Sequence, residues 1–141
     1  MVEKDKYFMS IAILTSKNST CSRLAVGAVI VSQNGIILST GYNGKARGLV
    51  HCNVENLEKK SPCKCIHSEQ NAVIHCLEPW NTWKKIYLTD TPCYSCMKLL
   101  VAFGIKEIYY YKRYRDDFDS FNLASEAGIK MIHIPEYLKL E

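Results

Sequence analysis

His67-Ser68-Glu69 and Pro92-Cys93-Tyr94-Ser95-Cys96 are the two stretches of this chain in which residue type and spacing together define a chemistry. One imidazole and two thiolates make a three-ligand zinc set with a fourth coordination position free, the arrangement of a catalytic rather than a structural zinc. Cys93 and Cys96 stand three residues apart, so at the start of a helix they share one face. The N–H groups of that first turn and the positive end of the helix dipole favour thiolate over thiol. Glu69 lies two residues past His67, near the metal without having to bind it, where a carboxylate takes a proton from water on the metal and hands it on. Two thiolates and a neutral imidazole cancel the charge of Zn2+, so this metal acidifies water less than an all-histidine site would. A proton acceptor beside it is therefore needed. That need makes His-x-Glu paired with Pro-Cys-x-x-Cys far more informative than either half. Taken singly, Cys-x-x-Cys is equally a redox pair and His67 equally a packed core histidine.

The flanking pattern predicts the elements that hold these residues. His67 to about Leu77 places Ala72, Val73, Ile74 and Leu77 at helical spacing, and Pro79 helps to end that helix. Thr91-Pro92 reads as an N-cap followed by proline at the first helical position, opening a helix from Cys93 to Phe103 that Gly104 stops. Upstream, Asp5 to Ser16 predicts a helix with Tyr7, Phe8, Ile11, Ala12 and Leu14 near one face. Val26 to Val31 and Ile36 to Thr40 predict two strands joined by an Asn34-Gly35 turn. Ile86 to Thr89, Ile105 to Tyr111 and Ile129 to Ile134 predict further strands, with a helix over Ser120 to Ala127 ended at Gly128. The alternation from Lys84 onward implies parallel strands with crossover helices, hence an α/β/α sandwich around a mixed sheet of about five strands. No internal repeat or linker is visible, so a single domain over residues 1–141 is expected.

Composition narrows the class. The chain has 141 residues, of which 48% are hydrophobic, with only 7 Gly and 4 Pro, which excludes disordered and collagen-like chains. Its apolar runs are far shorter than the roughly 20 residues of a membrane span. The N-terminus lacks the basic, apolar and small-residue succession of a secretory signal, so a cytoplasmic, intracellular setting is expected. The formal charge of +4 is mild and scattered, which argues against a dedicated nucleic-acid coat or membrane-surface protein. Seven cysteines are an odd number, and a reducing compartment disfavours disulfides, so metal binding leads. Cys76, isolated, reads as a small buried hydrophobe. Cys21, Cys52, Cys63 and Cys65 remain, and four thiolates with no open position would make a closed structural zinc pinning the long Gly41 to Pro62 excursion. Cys63 and Cys65 are closer than the usual ligand spacing, His51 is able to replace either, and scattered free thiols are the alternative.

On these residues the chain resembles the cytidine-deaminase superfamily, and within it the deoxycytidylate (dCMP) deaminases. The likeness rests on Cys21 to Val31, Gly41-Tyr42-Asn43-Gly44, His67 to Ala72, Thr91 to Cys96 and Gly104-Ile105-Lys106, blocks that span most of the chain. His-x-Glu with Pro-Cys-x-x-Cys marks the zinc nucleobase deaminases as a class. Ser68 stands where alanine is usual, and Lys45-Ala46 follow Gly44 where many relatives carry a proline. The resemblance implies a cytidine-deaminase-like fold and zinc-dependent hydrolysis of dCMP to dUMP and ammonia, supplying thymidylate synthesis, with dCTP as a further substrate. It implies His67, Cys93 and Cys96 as ligands of the catalytic Zn2+, and Glu69 as the proton carrier to ring N3 and the leaving amine. Asn43 would bond the sugar or base edge. Arg23 and Tyr114 are candidates for the phosphate, because a guanidinium and a phenol both bind its oxygens. The likeness further implies a second, structural Zn2+, a homo-oligomer, often a hexamer, and dCTP and dTTP as effectors. Deamination of a base in RNA is the rival reading; the modest charge counts against it, since polynucleotide binding needs several phosphate contacts. A zinc-stapled binding module has no use for Glu69.

Overall fold

The computed structural model describes residues 2–21, 23–49, 64–114 and 116–139. The apolar run after Val26 forms β1 (Gly27–Ser32), whose first five residues are buried. A continuous apolar run suits a strand covered on both faces. Asn34-Gly35 turns the chain, with Gly35 at φ 81°, into β2 (Ile37–Tyr42), which pairs antiparallel with β1. On its other edge β1 pairs antiparallel with β3 (Lys84–Asp90). β4 (Ile105–Lys112) and β5 (Lys130–His133) then add in parallel, giving the order β2-β1-β3-β4-β5. This is the mixed five-stranded sheet that the alternation from Lys84 onward predicts.

Helices cover both faces. Against one lies α1 (Lys4–Ser16), whose Phe8, Met9 and Ala12 pack on Val29, Val31, Tyr87 and Tyr109. Against the other lie α2 (Ser68–His75), α3 (Tyr94–Ala102) and α4 (Phe118–Glu126), through Ala72, Met97, Leu100 and Ala124 on Ile30, Ile86, Leu88 and Ile108. Burying each of the large aliphatic side chains contributes about 1.5–3 kcal/mol, so this second interface fixes where α2 and α3 begin. Among the described residues no helix is long and apolar enough to cross a membrane.

Two local expectations are corrected. On α1, Tyr7 and Leu14 are 42% and 55% exposed, and the covered stripe is Phe8, Met9, Ala12 and Ser16. At 3.6 residues per turn Asp5 shares that stripe, and its Oδ1 accepts a hydrogen bond from the Tyr87 hydroxyl at 2.5 Å. A polar anchor among apolar neighbours thus sets the helix's rotation. At α3 the capping position is Cys93, in extended backbone, and not Thr91. The Thr91 hydroxyl is instead engaged with Asp117 and with the backbone of Tyr114.

Gly41 decides how closely α2 approaches the sheet. A Cβ there would lie 2.4 Å from the Ser68 carbonyl oxygen and 2.5 Å from the Ala72 nitrogen. Ser39, two residues earlier on the same face, donates to the Ala72 carbonyl at 2.8 Å. Both contacts hold the first turns of α2 against β2. Beyond β2, an isolated bridge pairs Gly44 with Ile66, which precedes His67.

Candidate metal centre and its cavity

The N-termini of α2 and α3 meet beyond the end of β3. His67 occupies the capping position of α2 in extended backbone, and its N–H donates to Gln70 Oε1 at 2.8 Å, one half of a capping box. Cys93 occupies the same position on α3, and the Met97 N–H closes the first turn onto the Cys93 carbonyl at 2.8 Å. His67 Nδ1 lies 3.2 Å from Cys96 Sγ and 3.6 Å from Cys93 Sγ, and the three donor atoms lie within 4.8 Å of one another. Tetrahedral zinc with ordinary Zn–N and Zn–S bonds separates such donors by about 3.5 Å, so the triad fits the ion. It is the one group of this kind among the described residues.

The electrostatics agree with a ligand role. Hydrogen bonds from Cys96 and His67 pull the Cys93 thiol down to about 4. Cys96 moves the other way, pushed up by its hydrogen bond to Cys93 and by burial. A divalent ion bound between the two sulfurs would displace the thiol protons. Glu69 is 4% exposed. Its burial pushes the carboxyl up, and the Ser68 hydroxyl, donating to Oε1 at 2.6 Å, opposes this in part.

A cavity of about 190 Å³ opens over His67, Glu69 and Cys93. Asn43, Arg23 and Tyr114, the residues that the sequence offers for substrate, all line it. Asn43 is buried; its Oδ1 accepts from the Val26 N–H at 2.8 Å and its Nδ2 donates to the Leu24 carbonyl at 2.5 Å. Those bonds fasten the segment carrying Arg23 and leave one amide hydrogen for another partner. Arg23 is exposed and Tyr114 is 44% exposed. Of the four cysteines expected at a second zinc, Cys21 and Cys65 line this same cavity. Cys52 and Cys63, with the alternative His51, lie outside the described residues.

Asp90 and Thr91 also line the cavity; sequence reasoning passed over Asp90 and gave Thr91 a capping role alone. The available signal is topological: sheets of this kind bind ligands beyond the carboxyl ends of their parallel strands, and β3 ends at Asp90.

The family model for the cytidine and deoxycytidylate deaminase zinc-binding region matches residues 2–112. The chain belongs to this family. It is 33% identical over 138 residues to the deoxycytidylate deaminase of Schizosaccharomyces pombe, covering 90% of this chain and 42% of that protein. It is 38% identical over 130 residues to ComE operon protein 2 of Bacillus subtilis, covering 89% of this chain and 68% of that one. The structure of dCMP deaminase from the cyanophage S-TIM5 in complex with dCMP and dUMP matches with a TM-score of 0.82 and 29% identity, covering 95% of this chain and 99% of that chain. The chain thus spans less than half the length of the fission-yeast deaminase, and nearly all of the phage one. The family's zinc-binding region includes the three converging donors, and Zn2+ is the ion that both the match and the geometry support.

Proposed function

We propose that this chain catalyses the hydrolytic deamination of dCMP to dUMP with release of ammonia. The observation that carries the reading is a buried carboxylate, Glu69, lining the same small cavity as His67 and Cys93 of a three-donor zinc set. The likeness to a phage deaminase solved with dCMP and dUMP supports the choice of nucleotide.

His67 Nδ1, Cys93 Sγ and Cys96 Sγ would hold the metal. When bound, zinc supplies the Lewis acidity that makes water a nucleophile at neutral pH. Glu69 takes a proton from the attacking water at its carboxylate oxygen and delivers it to ring N3. It then carries a second proton to the exocyclic nitrogen; the C4–N bond breaks, ammonia leaves and C4 keeps the oxygen as a carbonyl. Burial raises the proton affinity of Glu69, which suits a group that must both accept and return a proton near neutrality. Ser68 orients the carboxylate through its hydroxyl. Asn43 offers its remaining N–H to the sugar or the base edge, while Arg23 and Tyr114 receive the phosphate. Their shared place on the cavity supports these roles.

The same reading extends to a closed structural zinc held by Cys21, Cys52, Cys63 and Cys65. The approach of Cys21 and Cys65 to one cavity supports it. It also includes a single domain over residues 1–141, dCTP as a further substrate, dCTP and dTTP as effectors, and a hexameric assembly.

The test is a panel of dCMP, dCDP, dCTP, CMP and deoxycytidine, assayed for ammonia with zinc-loaded protein. The highest kcat/KM is expected on dCMP. No ammonia from dCMP would overturn the reading. Metal analysis giving one zinc per chain would remove the structural site alone.

A further inference from the structure

We infer that Asp117 is a positioning residue that, through Thr91 and Arg113, fixes the turn carrying Tyr114 against the nucleotide cavity. The inference rests on the proposed nucleotide reading for its kinetic consequence and on geometry for the rest. Asp117 precedes α4, where an aspartate ordinarily accepts hydrogen bonds from the N–H groups of its own first turn. Its side chain makes no such bond. Instead Oδ2 accepts from Thr91 Oγ1 at 3.0 Å and from Arg113 Nε at 2.8 Å, and Oδ1 accepts from Arg113 Nη2 at 2.8 Å. At 7% exposure this carboxylate is withdrawn from water and committed to those donors.

Thr91 passes the constraint on. Because the carboxylate only accepts, the Thr91 hydroxyl donates to it, which leaves an oxygen lone pair for the Tyr114 N–H at 2.6 Å. The Thr91 N–H donates to the Lys112 carbonyl at 3.0 Å, so Thr91 grips the turn on both sides of Arg113. Arg113 stacks on the Phe121 ring, 4.1 Å from its centroid, which ties the same turn to α4. Asp116 takes φ 62°, a left-handed conformation that a non-glycine residue keeps only when its surroundings hold it. The Tyr114 side chain is nearly half exposed. Core packing therefore does not place it, and its backbone anchor must.

A group acting in this way affects binding more than chemistry. Asp117→Asn is expected to raise KM for dCMP about tenfold, with kcat within about twofold and zinc content unchanged. Arg113→Gln, at a more exposed position, should shift KM in the same direction by a smaller factor. Tyr114→Ala should raise KM in the wild-type background and add little to Asp117→Asn, because the two changes remove one interaction. Hydrogen exchange at the Tyr114 amide reads the clamp without substrate. It should accelerate at least roughly tenfold in Asp117→Asn while the β4 amides keep their protection. Accelerated exchange in a protein whose wild type is inactive on dCMP would condemn the substrate reading and support the clamp. Unchanged exchange, additive KM effects, or a fall in kcat with loss of zinc would overturn it.

Discussion

The two walls of the cavity are built by different means. His67, Glu69, Cys93 and Cys96 come from two helix starts, where the geometry of a single turn sets their spacing. Arg23, Asn43, Asp90 and Tyr114 come from four separate segments, held by bonds such as Val26 N–H to Asn43 and Tyr114 N–H to Thr91. The first wall is stiff because each donor rides on a helix packed into the core. The second depends on a few part-buried polar contacts, each worth about 1 kcal/mol, so it can be altered without dismantling the fold. The expected division is that the helical wall carries the chemistry and the loop wall carries recognition.

Glu69→Gln tests that division most severely. The amide keeps the shape and cannot cycle a proton, so kcat for ammonia release should fall by about 10²–10⁴ with zinc retained. Turnover within tenfold of wild type would take Glu69 out of the proton path. Gly41→Ala attacks the same wall from behind. The added methyl meets the Ser68 carbonyl at 2.4 Å, and overpacking of this kind costs about 1–3 kcal/mol. A lower urea midpoint and weaker zinc retention should appear together, since Ser68 adjoins both His67 and Glu69. A lowered midpoint with unaltered zinc retention would mean that α2 shifts without carrying His67. On the other wall, Asn43→Ala should raise KM for dCMP several-fold with much less effect on kcat. A loss in kcat as large as that of Glu69→Gln, at unchanged KM, would erase the difference between the walls.

How much of this was legible in the sequence follows from the same difference. The metal triad and Glu69 are separated by fixed numbers of residues within two short segments, so residue type and helical period nearly define them. The β1–β2 hairpin at Asn34-Gly35 and the parallel run of β3 to β5 follow too, whereas the antiparallel pairing of β1 with β3, which sets the strand order, has no local signal. The rotation of α1 differs from the apolar spacing because a part-buried contact from Asp5 to Tyr87, 82 positions apart, outweighs it. Thr91 before proline carries the signature of a cap, and only the fold reveals that its hydroxyl serves Asp117 and Tyr114 instead. Asp117 lies ahead of the helix that the sequence predicts from Ser120, and the structure makes it the residue before that helix. Its role is set by which strand end lies opposite, and local patterning does not encode that.

The Arg113–Asp117 pair gives the smallest predicted effect. The hydrogen bond from Arg113 holds the Asp117 carboxyl below the usual carboxylate range. Folded protein therefore binds less proton at this site than unfolded protein does, and stability from the site rises with pH across that window. Arg113 is 58% exposed, so screening by water keeps the contribution small. It should be complete above about pH 5, beyond the unfolded carboxyl near 3.9, and should decline as pH falls through the folded value. The measurement is the stability difference between wild type and Asp117→Asn in urea, at a series of pH values. Metal loss at low pH affects both proteins alike, so their difference isolates this carboxyl. A difference that stays constant or grows between about pH 7 and pH 3 would show that Asp117 holds its partners without relying on its charge.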